Sequence, residues 1–226
     1  MPHRIRRALS LATLFVAACI GLGATGLPSS TQTSALKEAL SLATERAVTA
    51  TSQSGGFLDN QKIRIGLPGS LSKMTKGLRA IGLGKQVDEL EVSMNRAAEK
   101  AAGEATPVFV DAIKKMTFQD ASGIVTGGDT AATDYFEKTT SKPLSERFRP
   151  IVDQAMQNIG LKKQYDQLVG RYTSLPLASA PKFDLTSYVT DKTLSGLFTV
   201  VGEQEKQIRT NPAARATDLL KQVFGR

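Results

Sequence analysis

The string with the clearest chemical potential is Gly127-Gly128-Asp129-Thr130, two glycines at the entrance to a helical stretch. Glycines there can turn bare backbone N–H groups toward an anion, because a helix N-terminus carries unsatisfied donors and a positive partial charge. Asp129 sits where a cap sits, however, and its carboxylate would occupy those donors and repel a phosphate. The string therefore reads as a capped helix start, and a ligand of Asp129, Thr130, Asp134 and Tyr135 would be neutral or cationic. Asp129 and Asp134 could also join Asp111, Asp120 and Glu137 as an all-oxygen site for Ca²⁺ or Mg²⁺. No fixed-spacing loop such as an EF-hand accompanies them, so solvated helix surface is the simpler use and no metal ligand is assigned. Asp134 and Glu137, three apart on one helix face, could act as acid and base if two carboxyl groups met across a cleft. Arg171 and Arg215, each beside an apolar stripe, either pair with acids or bind an anionic headgroup.

The residues that are missing narrow the chemistry further. The single histidine is His3, the single cysteine is Cys19, and there is no tryptophan. Beyond the first twenty residues there is thus no Ser-His or Cys-His pair, no imidazole base and no thiolate or imidazole metal site. No catalytic residue and no cofactor is assigned. The chain carries 29 Lys+Arg against 21 Asp+Glu, a formal charge of +8. Setting Arg4, Arg6 and Arg7 aside leaves 26 against 21, an excess of +5. Lys114-Lys115 and Lys162-Lys163 are the doublets of the remainder, and neither grows into a basic run with interleaved aromatics. Nucleic acid is therefore not an expected partner.

The N-terminus predicts export. Arg4, Arg6 and Arg7 precede an apolar run from Ala8 to Ala18, the pattern of a bacterial secretory signal. That run is too short for a permanent membrane span, which needs about 20 residues. Val16-Ala17-Ala18-Cys19 resembles a lipobox, which would end the signal at residue 19 and acylate Cys19. Ordinary cleavage after Gly26 is the other reading. Ile20 follows the cysteine where aspartate would signal inner-membrane retention, so a lipidated form is expected at the outer membrane, facing the periplasm. Residues 20–35, rich in Gly, Ser, Thr and Pro, read as a flexible tether, and 36–226 as the folded domain, without a disulfide.

Apolar spacing in that domain is helical nearly throughout. Leu36, Leu40, Ala43 and Ala47 form a first stripe closed by Gly55-Gly56. Lys62 to Ile65 alternates too briefly for a sheet. Pro68 opens a helix to about Ile81. Val87, Leu90, Met94, Ala97 and Ala101 then make the best stripe, with Asp88, Glu89, Glu91, Arg96, Glu99 and Lys100 placed on its outer face. Phe109, Ile113 and Met116 follow. Thr117 is expected to cap a short helix, and separate helices over Ala131–Thr139 and Pro143–Asn158 come next. Tyr165, Leu168, Val169 and Tyr172 mark another. Asp184 caps a long helix carrying Leu194, Leu197, Phe198, Val201 and Ile208, and Asn211-Pro212 starts a last one ending at Phe224. About nine helices in antiparallel hairpins make a single-domain, all-α multi-helix bundle.

Gly127-Gly128-Asp129-Thr130-Ala131-Ala132-Thr133-Asp134-Tyr135-Phe136, Leu168-Val169-Gly170-Arg171-Tyr172 and Asn211-Pro212-Ala213-Ala214-Arg215 resemble family 4197 of the bacterial domains of unknown function, as does Gly56-Phe57-Leu58 through Asn95-Arg96-Ala97-Ala98. The resemblance runs from about Ser34 to the C-terminus. It implies a small exported helical protein and brings no catalytic residues. The expected role is a non-enzymatic binding module that engages a cell-envelope component through an interhelical groove. The alternatives are a carboxylate-dependent enzyme acting on envelope glycans or lipids, and a carrier of lipid or another apolar ligand. The carrier would use the aromatics of the C-terminal half to line a cavity of at least about 300 Å³.

Overall fold

The computed structural model describes residues 27–119 and 121–225; the stretch expected to be an export signal, His3, Cys19 and Asp120 lie outside them. Helix α1 (Ser29–Thr51) begins inside the stretch expected to be a tether. Its polar first turns join the helix because Gln32, Ala35, Leu36 and Ala39 are all buried, extending the apolar stripe one turn toward the N-terminus. Helix α2 (Ser72–Ala80) follows a 3₁₀ turn at Gly69–Leu71, and α3 (Gly84–Ala102), α4 (Ala105–Lys115) and α5 (Ala121–Val125) come after it. Helix α6 is Ala131–Asn158, α7 Leu161–Thr173, α8 Leu185–Thr210 and α9 Asp218–Phe224. No strand occurs among the described residues. The fold is all-α.

Helix α8 is the central strut. It packs against α1, α6 and α3, while α4 and α9 lie on α1, and α2 and α7 cover α3. Leu194, Leu197, Phe198, Val201 and Ile208 of the expected stripe are all buried. Phe109 of α4, Phe136 of α6 and Phe198 of α8 meet with ring centroids 5.3–5.8 Å apart. Contacts of this kind add to area burial through edge-to-face geometry. Phe136, Phe148 and Phe198 of the C-terminal aromatics are thus core residues, while Tyr135, Tyr172, Phe183 and Tyr188 are partly buried at its edge. Gly196 has a packing reason: a Cβ there would lie 2.6 Å from the Phe57 ring, which rests on the α8 backbone.

Three local expectations are corrected. Residues 131–158 form one helix, with Pro143 and Pro150 inside it. Each proline removes an intrahelical bond and costs roughly 3 kcal/mol in isolation. Phe136, Thr140, Leu144, Phe148, Val152 and Met156 nevertheless make an unbroken buried row at four-residue steps, and its packing overrides the breakers. Thr117 caps no helix, since α5 starts at Ala121. The last segment is also divided: Asn211 caps a 3₁₀ turn at Pro212–Ala214, and Thr217 caps α9. Asp184 does cap α8, accepting the Ser187 N–H at 2.9 Å.

Candidate functional site

The α6 entrance is built differently from the expected capped start. Asp129 does not cap it; its carboxylate pairs with Lys206 at 3.0 Å on the surface. Thr130 is the N-cap residue, without a side-chain cap bond, and its hydroxyl donates to Asp134 at 3.0 Å. The helix-start donors that have no partner within α6 go to Glu205 of α8, which is fully buried. Its carboxylate accepts the N–H of Ala132 at 3.0 Å, the N–H of Thr133 at 2.7 Å and the Thr133 hydroxyl at 2.6 Å. Arg209, one turn further along α8, closes the far side at 2.7 Å. The same guanidinium donates to the carbonyls of Val125 and Ile124 and lies over the Phe224 ring. An anion site does exist at the glycine string, and the protein's own carboxylate fills it.

A second buried carboxylate repeats the device. Glu99, expected on the outer face of α3, is 4 % exposed and accepts the backbone N–H groups of Gly55, Phe57 and Leu58 at 3.1–3.2 Å. Arg96 pairs with it at 2.7 Å. One turn earlier, buried Asn95 accepts the Ile65 N–H at 2.8 Å and donates to the Ile65 carbonyl at 2.9 Å. Asn95 thus supplies the partners that a neighbouring strand would give the short alternating stretch at 62–65. Glu99, Asn95, Glu205 and Arg209 are structural anchors, and sequence reasoning missed all four.

The other candidate residues do not converge on one place. Tyr135 donates to the Thr117 carbonyl at 2.9 Å and stacks on Phe118. Arg215 caps the end of α8, donating to the carbonyls of Ile208 and Arg209 at 3.0 and 2.8 Å. Arg171 makes no ion pair among the described residues and lines a groove. Asp111 pairs with Lys115 and Arg147, which hold its carboxyl below the ordinary range. Among the described residues no three His, Cys, Asp or Glu side chains come together to hold a metal ion. Asp134 and Glu137 share a face of α6 and line a 230 Å³ depression with Ser195 and Thr199. Burial, then the neighbouring Asp134 charge, raises the Glu137 carboxyl above its ordinary value. The two acids stand on one helix rather than across a cleft.

Helices α2, α3 and α7 leave a groove of about 900 Å³ open on the surface. Ile81, Leu83 and Leu168 give its apolar surface; Gln86, Gln164 and Gln167 give amide walls; Glu89 and Arg171 are its ionisable lining groups. Ile81 is 49 % exposed and offers apolar contact area at the rim of the groove. What this lining can do is recognise: amides donate and accept, Arg171 supplies a fixed positive charge, and the aliphatic residues supply contact area.

An all-α bundle with internally satisfied buried carboxylates and an open amide-lined groove is the class of protein that this geometry defines. The chain belongs to the DUF4197 family, described as a protein of unknown function, whose model matches residues 26–225. No curated protein and no solved structure matches it significantly.

Proposed function

We propose that this protein is a non-enzymatic binding module of the cell envelope, which engages an envelope component through the α2–α3–α7 groove. The observation that carries the reading is the make-up of that groove: a large open volume, neutral amide walls, one unpaired arginine and an exposed isoleucine at the rim. The basic, apolar start of the chain supplies the envelope part of the proposal, with Cys19 as the residue through which an acyl chain would attach the protein to the periplasmic face of the outer membrane.

The test is a photoreactive phenylalanine analogue placed at Gln167, with a control at exposed Lys221 on α9, in the full chain expressed in its parent bacterium. Irradiation is expected to give a discrete adduct in the envelope fraction from position 167 and none from 221. The same adduct pattern from both positions, or no adduct from 167, would refute the groove. A second reading, a carboxylate-dependent enzyme acting on envelope glycans or lipids, draws support from the 230 Å³ depression that Asp134 and Glu137 line together with Ser195 and Thr199, where burial raises the Glu137 carboxyl. It requires turnover that disappears in Glu137→Gln while the fold is retained.

A further inference from the structure

Helices α4 and α6 run antiparallel along a seam that opens into two depressions, one of about 510 Å³ and one of about 460 Å³. Pro107 and Val108 face Pro150 and Ile151 in the first; Ala112 and Lys115 face Pro143, Leu144 and Arg147 in the second. Each volume lies within the usual range for small-molecule sites, about 300–1,000 Å³. Asp111 lies between these two stretches of α4, and its 2.7 Å pair with Arg147 of α6 crosses the seam between the two depressions. Pro143 and Pro150, seven apart, share one face of α6. Each lines one depression, giving that face an aliphatic surface without N–H donors.

The polar groups of the second depression are arranged with a bias. The hydroxyls of Tyr135, Thr139 and Thr140 are already donated to backbone carbonyls, at 2.9, 2.8 and 2.6 Å. Its charged donors to a ligand are Lys115 and Arg147, which each spend one N–H on the same carboxylate of Asp111, and the Thr117 hydroxyl lines it beside them. Two cations around one anion leave a single positive charge in excess, at the edge of an aliphatic floor made by Ala112, Met116, Pro143 and Leu144. A monoanion would complete this cluster as two alternating ion pairs, and an attached hydrocarbon chain would lie on that floor, within the second depression.

From this charge complementarity we infer that the α4–α6 seam binds a free single-chain fatty carboxylate, its headgroup held by Lys115 and Arg147 beside Asp111. The site is separate from the α2–α3–α7 groove, so its failure leaves the proposed function standing, and the converse also holds.

The experiment titrates the full chain with sodium dodecanoate below its micelle concentration, by calorimetry, with 1-dodecanol and with phosphatidylglycerol vesicles as parallel arms. Saturable one-to-one binding of dodecanoate is expected, with much weaker binding of the alcohol and none beyond background to vesicles. Arg147→Gln should weaken it about tenfold, the worth of one charge-assisted hydrogen bond. Asp111→Asn, which removes the resident anion, should tighten it. Lys115→Gln replaces Arg147→Gln if circular dichroism shows that the latter fails to fold. Equal binding of dodecanol, binding confined to vesicles, an unchanged affinity in the cation variant or a weakened one in Asp111→Asn overturns the inference.

Discussion

Replacing Glu205 by alanine removes one side chain that serves three purposes at once. It leaves Arg209, whose side chain is 8 % exposed, as an uncompensated charge, and it orphans the N–H groups of Ala132 and Thr133 at the start of α6. Breaking a buried pair by deleting one partner costs roughly 3–5 kcal/mol, so about 4 kcal/mol is expected. In a domain of this size each kcal/mol shifts the melting temperature by roughly 2–4 °C, giving a fall of about 8–16 °C. Urea unfolding followed at 222 nm reads the free energy, and a thermal scan reads the melting shift. The double variant Glu205→Met/Arg209→Met separates the two contributions. It removes both charges and leaves the uncapped helix start together with the Val125 and Ile124 carbonyls that Arg209 served, a loss of about 2–3 kcal/mol. A Glu205→Ala loss below about 1 kcal/mol would refute the reasoning, as would a double variant no more stable than the single one.

Asn95→Ala should cost about 2–3 kcal/mol, because it strands the buried Ile65 N–H and carbonyl. Hydrogen exchange at the Ile65 amide should accelerate beyond that of α8 amides, which checks that the loss is local. Leu177 is the reverse case. It is fully exposed, has φ 61° and holds the third position of the Leu175–Ala178 turn, behind Pro176. Glycine favours that left-handed conformation, so Leu177→Gly should stabilise by about 0.5–1 kcal/mol in urea unfolding, the relieved strain less the entropy glycine loses. The Asp184 carboxyl is lowered from 3.8 to about 2, first by the Ser187 backbone N–H, then by the Ser187 hydroxyl and Arg149. A lowered folded value gives stability that is present above the unfolded value and lost as pH falls through the folded one. The urea midpoint should therefore drop between about pH 4 and pH 2, and less steeply in Asp184→Asn.

The helices were legible where burial follows the helical period. Val87, Leu90, Met94, Ala97 and Ala101 are buried as their spacing predicts, and Asp184 caps α8 as its position before an apolar run predicts. Reading failed where the partner is distant backbone. Glu99 looks like an outer charge because the amides it receives, at Gly55, Phe57 and Leu58, have no side-chain signature and lie more than forty residues away. Asp129 was the nearest carboxylate to the α6 start, yet Glu205, over seventy residues away, fills the role. A signal for Glu205 did exist. It follows Val201 by four and precedes Ile208 by three, so it interrupts the apolar stripe of α8 with an acid, and Arg209 lies one turn on. Pro143 and Pro150 misled in the opposite sense, since local cost was read without the long buried row that outweighs it. The scatter of Asp129, Tyr135, Arg171 and Arg215 has the same origin: their spacing along the chain carries no information about which helices pack together.

Mass spectrometry of the protein purified from envelopes of its parent bacterium tests the central claim most directly. Residue 19 bearing an acyl chain, or residue 27 following cleavage after Gly26, is the expected first residue, with a component bound to the folded chain and lost when Gln167 and Arg171 are replaced. An unprocessed chain that retains Met1, recovered from the cytosol without any associated component, would contradict it.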